Sequence, residues 1–228
     1  MDTSTEDPAR RNGRRFGPSE HKVACDPVTH SKSQLTREEI VSAGAVSFAE
    51  RGFSFSMVEQ IAAHVGATES DFYVLFPSKA ALAAEVVRVY ADRLEQLNRA
   101  TLSRCADRLD AVVAMSFAAA RLTRTDPVIE AGTRLLMERD TVDANLPLPF
   151  AGWVDRITGI LIDGQGSGNV VAGVDARASA ETIVSAFFGL QCVSHGLGDT
   201  RRLPRLLEEF WKMTLPTLRS DRQHRSFK

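Results

Sequence analysis

The sequence predicts an all-α protein of 228 residues, a small N-terminal domain of three short helices followed by a larger helical domain. Three observations carry this. Cap residues bracket three short helices between Leu35 and Lys79. From Ser78 to Asp126 the chain has no Gly or Pro, so a long helical stretch must follow. Alternation of the strand type is absent, as is any internal repeat.

The first helix starts at Thr36, an N-cap whose capping box closes with Glu39, with Leu35 and Ile40 as a hydrophobic staple. Ser56 and Glu59 repeat the capping-box pattern. Val58, Ile61, Ala62 and Val65 then recur at helical spacing until Gly66 stops the second helix as a left-handed residue can. Thr68 caps a third helix, which carries Phe72, Tyr73 and Phe76 and ends at Pro77. Two short helices joined by a tight Gly-containing turn make a helix-turn-helix, whose second member lies in the DNA major groove.

Beyond Pro77, Leu82, Val86, Val89, Tyr90, Leu94 and Leu97 give one apolar face, and the helix breaks between Asn98 and Cys105. Val112, Val113, Phe117 and Ala120 suit a fifth helix, and Val128, Ile129, Leu135 and Leu136 a sixth. The turn Pro147-Leu148-Pro149 leads into a seventh through Phe150, Trp153, Ile157 and Leu161. The glycine run from Gly164 to Asn169 reads as a flexible loop; it lacks the order and the preceding strand of a phosphate cradle. An Asp175-capped helix through Ile183, Phe187 and Leu190, then one carrying Leu203, Leu207 and Trp211, close the chain. The domain boundaries read as a disordered basic arm over 1–34, the three-helix domain over 35–79 and the larger domain over 80–220.

Composition narrows the function. Hydrophobic residues make up 43%, enough for a core, and 28 basic residues nearly cancel 29 acidic ones, so no global field advertises nucleic acid. Cys25, Cys105 and Cys192 are too widely spaced for a disulfide framework or a zinc site and suit a reducing cytoplasm. The N-terminus lacks the apolar stretch of a signal peptide. The longest uncharged run, Thr182 to Gly198, is 17 residues and too polar to span a bilayer, so no membrane partner is expected. His64 and His195 stand alone, and no nucleophile elbow or metal-spaced set appears; no enzyme, cofactor or metal is expected. Lactone hydrolysis is the activity that would overturn this.

The run Ile40, Ala43, Phe48, Gly52-Phe53, Ser56-Met57, Ile61-Ala62, Val65-Gly66, Phe72-Tyr73, Phe76-Pro77-Ser78-Lys79 and Leu82 resembles the DNA-binding domain of the TetR family of repressors. That resemblance implies a helical homodimer with an N-terminal operator reader and a C-terminal ligand-binding and dimerisation domain. The sites it implies are Arg37, Ser56, Thr68, Glu69, Ser70, Tyr73 and Lys79 on double-stranded operator DNA, with Ser56 and Lys79 on phosphates. Leu190, Leu206, Leu207, Phe210 and Trp211 are the candidates for the dimer interface, and periodicity does not say which face the partner. The location implied is the cytoplasm, at the nucleoid when bound to DNA.

Arg134-Leu135, Glu138-Arg139, Asn145 to Phe150, Trp153, Gly173-Val174-Asp175 and Ala186 to Gln191 resemble the γ-butyrolactone receptor branch. Such proteins leave DNA on binding a lactone or furan hormone and control antibiotic genes. The implied cavity is bounded by Trp153, Phe150, Leu136, Val113, Phe117, Phe187 and Gln191, between helices five to eight, and is closed by the two-proline turn.

Two departures from the branch pattern stand out. Its recognition helix usually begins with basic and small residues, whereas Glu69-Ser70-Asp71 stands here. Lys32, Arg37, Arg51 and Lys79 face Glu38, Glu39, Glu50, Glu59, Glu69 and Asp71, a net of −2 over residues 32–79. The arm could compensate, since over residues 8–31 Arg10, Arg11, Arg14, Arg15 and Lys22 outweigh Glu20 and Asp26, a net of +3. Leu136 and Phe150 also stand where hormone receptors of the branch tend to carry hydrogen-bonding side chains. Two readings therefore remain beside the hormone receptor: a pseudo-receptor answering an antibiotic-like ligand or none, and a heterodimerising partner that does not itself read DNA.

Overall fold

The structure is a computed structural model that describes residues 36–142 and 145–220; the arm expected over 1–34, with Leu35 and Lys32, lies outside them. Within the described residues nine α-helices run in the order α1 Arg37–Phe55, α2 Val58–His64, α3 Glu69–Leu75, α4 Lys79–Leu102, α5 Arg108–Leu122, α6 Pro127–Met137, α7 Phe150–Ser167, α8 Ala176–Gly196 and α9 Leu203–Leu218. The extended backbone that pairs is one isolated bridge between Val170 and Arg219. No described helix is long and apolar enough to cross a membrane.

Local chemistry sets most helix ends. The Thr36 hydroxyl accepts from Glu39 N at 3.2 Å while Glu39 Oε2 accepts from Thr36 N at 2.8 Å. Thr68 and Asp71 form the same reciprocal box at 3.2 and 2.9 Å. Asp107, Asp126 and Asp175 cap α5, α6 and α8 through their carboxylates. The Ser56–Glu59 box does not form. Ser56 is buried and its hydroxyl donates to Gly52 O at 2.7 Å while accepting from Ser47, so Met57 becomes an N-cap without a side-chain bond. The glycine run also departs from expectation, for α7 continues through Ser167 and ends at left-handed Gly168, φ 79°. Gly164 lies inside that helix with Val170 packed against it; a Cβ there would lie 2.6 Å from Val170 Cγ2.

The core has two clusters. One joins Phe48, Phe72 and Phe76 of the reader (α1–α3) to Leu82 and Tyr90 of α4 and Leu135 of α6. The other gathers Leu109, Leu161, Leu203 and Trp211 from α5, α7 and α9, and Phe187 of α8 packs against both. Each fully buried Phe or Leu stabilises by about 2 kcal/mol, so the reader draws its stability from α4 and α6 as well as from itself.

Two contacts seat the reader. α4 crosses α6 where Gly132 has no side chain; a Cβ there would sit 2.3 Å from Tyr90 Cγ. The last turn of α1 bends at Gly52, φ 77°. There Phe53 N donates to Glu138 Oε2 at 2.8 Å, and Arg134 donates to Ala49 O at 2.9 Å and to Glu138 Oε1 at 2.8 Å. Those contacts answer groups that the end of a helix leaves unpaired, and they tie α1 to the end of α6.

Candidate nucleic-acid interface and ligand cavity

α2, the turn at Gly66 (φ 69°) and α3 form the helix-turn-helix. Phe72 and Phe76 turn inward, leaving Thr68, Glu69, Ser70 and Tyr73 exposed on the outer side of α3. The Tyr73 ring stands edge-on to Phe72 at 5.3 Å, which limits the directions its hydroxyl can take. Val74 is 84% exposed, and Phe55 and Met57 at the α1–α2 junction are 78% and 55% exposed. These three apolar side chains were absent from the expected contact set. Their signal was the missing polar residue at Met57 and Val74, on a surface that faces solvent.

The expected phosphate contacts are redirected. Lys79 Nζ donates to Phe53 O at 2.7 Å and Ser56 O at 2.9 Å, 4.4 Å from the centre of the Phe53 ring. A cation at the carbonyl end of α1 is favoured by the helix dipole and by unpaired oxygens. Partial burial lowers the Lys79 pKa. Arg37 donates to Leu75 O at 2.8 Å and lies 4.1 Å above the Phe76 ring, closing α3 in the same manner, with Glu85 3.8 Å away. Arg51 donates to Gln60 Oε1. Every Lys and Arg between residues 36 and 79 thus has an acceptor inside the protein, and Ser56 is buried.

A cavity of about 80 Å³ lies between α4, α5, α7 and α8. Trp153 and Phe187 line it, as the sequence suggested, together with Leu94 and Asn98 of α4, Val112, Met115, Ser116 and Ala119 of α5, Ile157 of α7, and Ile183 and Val184 of α8. The remaining expected members lie elsewhere. Leu136 is buried in the reader-side core, and Phe150 stands behind Trp153, edge-on to it at 5.5 Å and to Phe188 at 5.0 Å. Val113 and Phe117 pack on the second core, and Gln191 lies in a separate polar recess. α4 replaces α6 as a wall because α6 is taken up by α1 and Tyr90. The α5 stripe at 112, 115, 116 and 119 has helical spacing and ends in small side chains, a signal that was available in the sequence.

Trp153 also meets Tyr90 edge-on at 5.8 Å, so the cavity wall touches the ring lodged against Gly132. Burial pushes the Tyr90 phenol well above its ordinary pKa, with Thr133 as its polar neighbour. The group stays neutral at any physiological pH.

Of the dimer candidates, Leu207 and Trp211 are 0% and 2% exposed, and the Trp211 indole donates to Ser116 Oγ at 2.9 Å. They belong to the protomer core, a division among the five candidates that periodicity left open. Leu190, Leu206 and Phe210 are half-buried. Val193 of α8, Leu197 at its C-cap and Met213 of α9 are 52%, 59% and 71% exposed. Among the described residues no three His, Cys, Asp or Glu side chains cluster as a metal site would require.

Residues 106–219 match a family model described as the C-terminal domain of tetracyclin-repressor-like proteins, and residues 40–86 match the model of bacterial regulatory proteins of the tetR family. The A-factor receptor protein of Streptomyces griseus is 28% identical over 188 residues, which are 82% of this chain and 65% of that protein. The chain therefore spans slightly less than two thirds of that relative. One similar solved structure concerns the molecular basis for control of antibiotic production by bacterial hormones. It is 35% identical and covers 81% of this chain and 97% of its own, with a TM-score of 0.76. A γ-butyrolactone receptor described as ArpA-like is 28% identical, covering 83% of this chain and 90% of its own at a TM-score of 0.68. CprB from Streptomyces coelicolor, solved in complex with its biological operator sequence, is 28% identical, covering 80% and 88% at a TM-score of 0.68.

Proposed function

Because the chain belongs to the TetR family of bacterial regulatory proteins, we propose that it is a transcriptional repressor released from DNA by a small molecule. It binds a pseudo-palindromic operator as a homodimer in the cytoplasm. One α3 helix enters each half-site, with Thr68, Glu69, Ser70 and Tyr73 at the base edges. The half-buried Leu190, Leu206 and Phe210, joined by exposed Val193, Leu197 and Met213, are the isologous surface that pairs two copies. The signal is a γ-butyrolactone- or furan-like molecule, and the regulated genes serve antibiotic or other secondary metabolism.

One observation carries this reading: the apolar cavity beside Trp153 borders α4, the helix that begins at the reader. A ligand that fills it favours one position of α4 over another and so shifts the spacing of the two readers. Footprinting on the promoter of the protein's own gene, with and without extract of the producing cells, tests the proposal. Protection lost on adding extract is the expected result. Protection that persists at every extract concentration contradicts release by a ligand.

A second reading is favoured by a different observation, the internal use of Arg37, Arg51 and Lys79. With no described cation of the reader turned to solvent alone, the chain is a partner that pairs with a related regulator and weakens that regulator's hold on DNA. A gel shift with the purified chain separates the two, since a stable complex without any partner excludes the second.

A further inference from the structure

The cavity stripe does not end where the cavity does. On α5 the lining positions 112, 116 and 119 lead one turn on to Thr123, and on α8 positions 183 and 187 lead to Gln191 and Ser194. There, with Thr133 of α6, these side chains line a recess of about 10 Å³, room for roughly one water-sized group. Thr123, Thr133, Gln191 and Ser194 are 6%, 4%, 5% and 1% exposed, so an unmet polar atom among them carries a desolvation cost.

Two atoms are unmet, Gln191 Oε1 and Ser194 Oγ. The amide orientation follows from its neighbours. Thr123 uses its proton on Ala119 O at 3.2 Å, so its oxygen accepts from Gln191 Nε2 at 3.3 Å and the amide oxygen is left aimed elsewhere. Thr133 likewise donates to Ile129 O at 2.9 Å. The recess thus presents one acceptor without a donor and one hydroxyl able to give and receive. A ligand hydroxyl satisfies both, donating to Gln191 Oε1 and accepting from Ser194. An ether or ester oxygen cannot donate, and so leaves Gln191 Oε1 unmet.

We propose that Gln191 and Ser194, with Thr123 orienting the Gln191 amide, form a hydroxyl-binding subsite in the recess one helical turn beyond the cavity. The molecule it recognises has an apolar body in the cavity beside Trp153 and a hydroxyl about one helical turn, roughly 5 Å, farther along. This rests on the ligand-responsive reading and adds what that ligand must carry. The polar recognition that Leu136 and Phe150 cannot supply is here supplied from α5 and α8.

The probes are 1-hexanol and its near-isostere 1-methoxypentane, titrated calorimetrically against the full chain and against Gln191→Leu and Ser194→Ala. Wild type should bind the alcohol roughly tenfold tighter than the ether, the size of one or two buried hydrogen bonds. Each variant should lose that preference by weakening the alcohol while leaving the ether unchanged. Ser194→Ala removes a single unpaired hydroxyl, so it remains a fair comparison should Gln191→Leu fold poorly. Equal binding of the two probes to wild type, or a preference that survives in both variants, overturns the subsite and leaves the cavity standing. If neither probe binds, the cavity is not a ligand site, and the reading beneath the proposal falls with it.

Discussion

The reader and the body treat their polar side chains in opposite ways. In the reader, Arg37 and Lys79 are folded back onto the carbonyl ends of α3 and α1, and both threonines are held in capping boxes. In the body, Gln191 and Ser194 are buried with atoms left unmatched beside a cavity. The first arrangement fastens the seven-residue α2 and α3, each too short to stand alone, to the longer α1. The second leaves stability unused until something enters. A regulator needs both, since a reader must keep its shape while the part that senses must be able to change.

The largest expected effect separates core from surface within the last two helices. Leu207→Asp puts a carboxylate into a closed apolar cluster and should cost about 4 kcal/mol or more, leaving no cooperative melt by circular dichroism. Met213→Asp, on the exposed side of the same helix, should melt like wild type but sediment as a monomer. If Met213→Asp remains a dimer at micromolar concentration, the proposed pairing surface is misplaced.

Next comes the joint between the two regions. Gly132→Ala drives a methyl group into the Tyr90 ring and should cost about 2–3 kcal/mol, seen as a lowered urea midpoint at unchanged slope. A variant as stable as wild type would mean that α4 and α6 are not locked at this crossing.

Lys79→Ala tests the self-directed charges of the reader. It should remove about 1 kcal/mol of stability while changing the salt slope of operator binding by less than about one. A slope reduced by a full unit would return Lys79 to a phosphate.

The smallest effect is on acid sensitivity. The Arg88 hydrogen bond holds the Glu85 carboxyl below its ordinary value. A depressed carboxyl contributes stability above its unfolded pKa of about 4.5 and loses it as pH falls through the folded value. Glu85→Gln should therefore flatten the decline of melting temperature below about pH 4.5 by a small amount, because Arg88 is largely exposed. A steeper acid decline in the variant would reverse the assignment.

These contrasts also mark what was legible in the sequence. The boxes at Thr36 and Thr68 were readable because their partners lie three residues away. The matching pattern at Ser56 misled because a tertiary neighbour, the Gly52 carbonyl, competed for the same hydroxyl. Family membership was carried by motifs spread along the reader and the body, and the comparisons bear it out. Trp153 and Phe187 could be placed at the cavity, whereas Leu136 and Phe150 could not be told from core, since an apolar stripe shows what is buried and not against what. Leu207 and Leu206 are adjacent letters of one stripe, and only packing separates the core residue from its half-buried neighbour. Asn98 is not legible as a cavity residue, because nothing in the α4 pattern marks that helix as a wall.

The notch at Gly132 has a mechanical consequence. With the Tyr90 ring seated where a side chain is missing, α4 cannot slide lengthwise over α6 without lifting the ring out; it can rock about that seat. Lys79 lies about 16 Å to one side of this fulcrum and Asn98 about 12 Å to the other, from the rise of an α-helix. For a rigid α4, a push of about 1 Å on the cavity arm would swing the reader arm by roughly 1.4 Å in the opposite direction, working against the contacts that tie α1 to the end of α6.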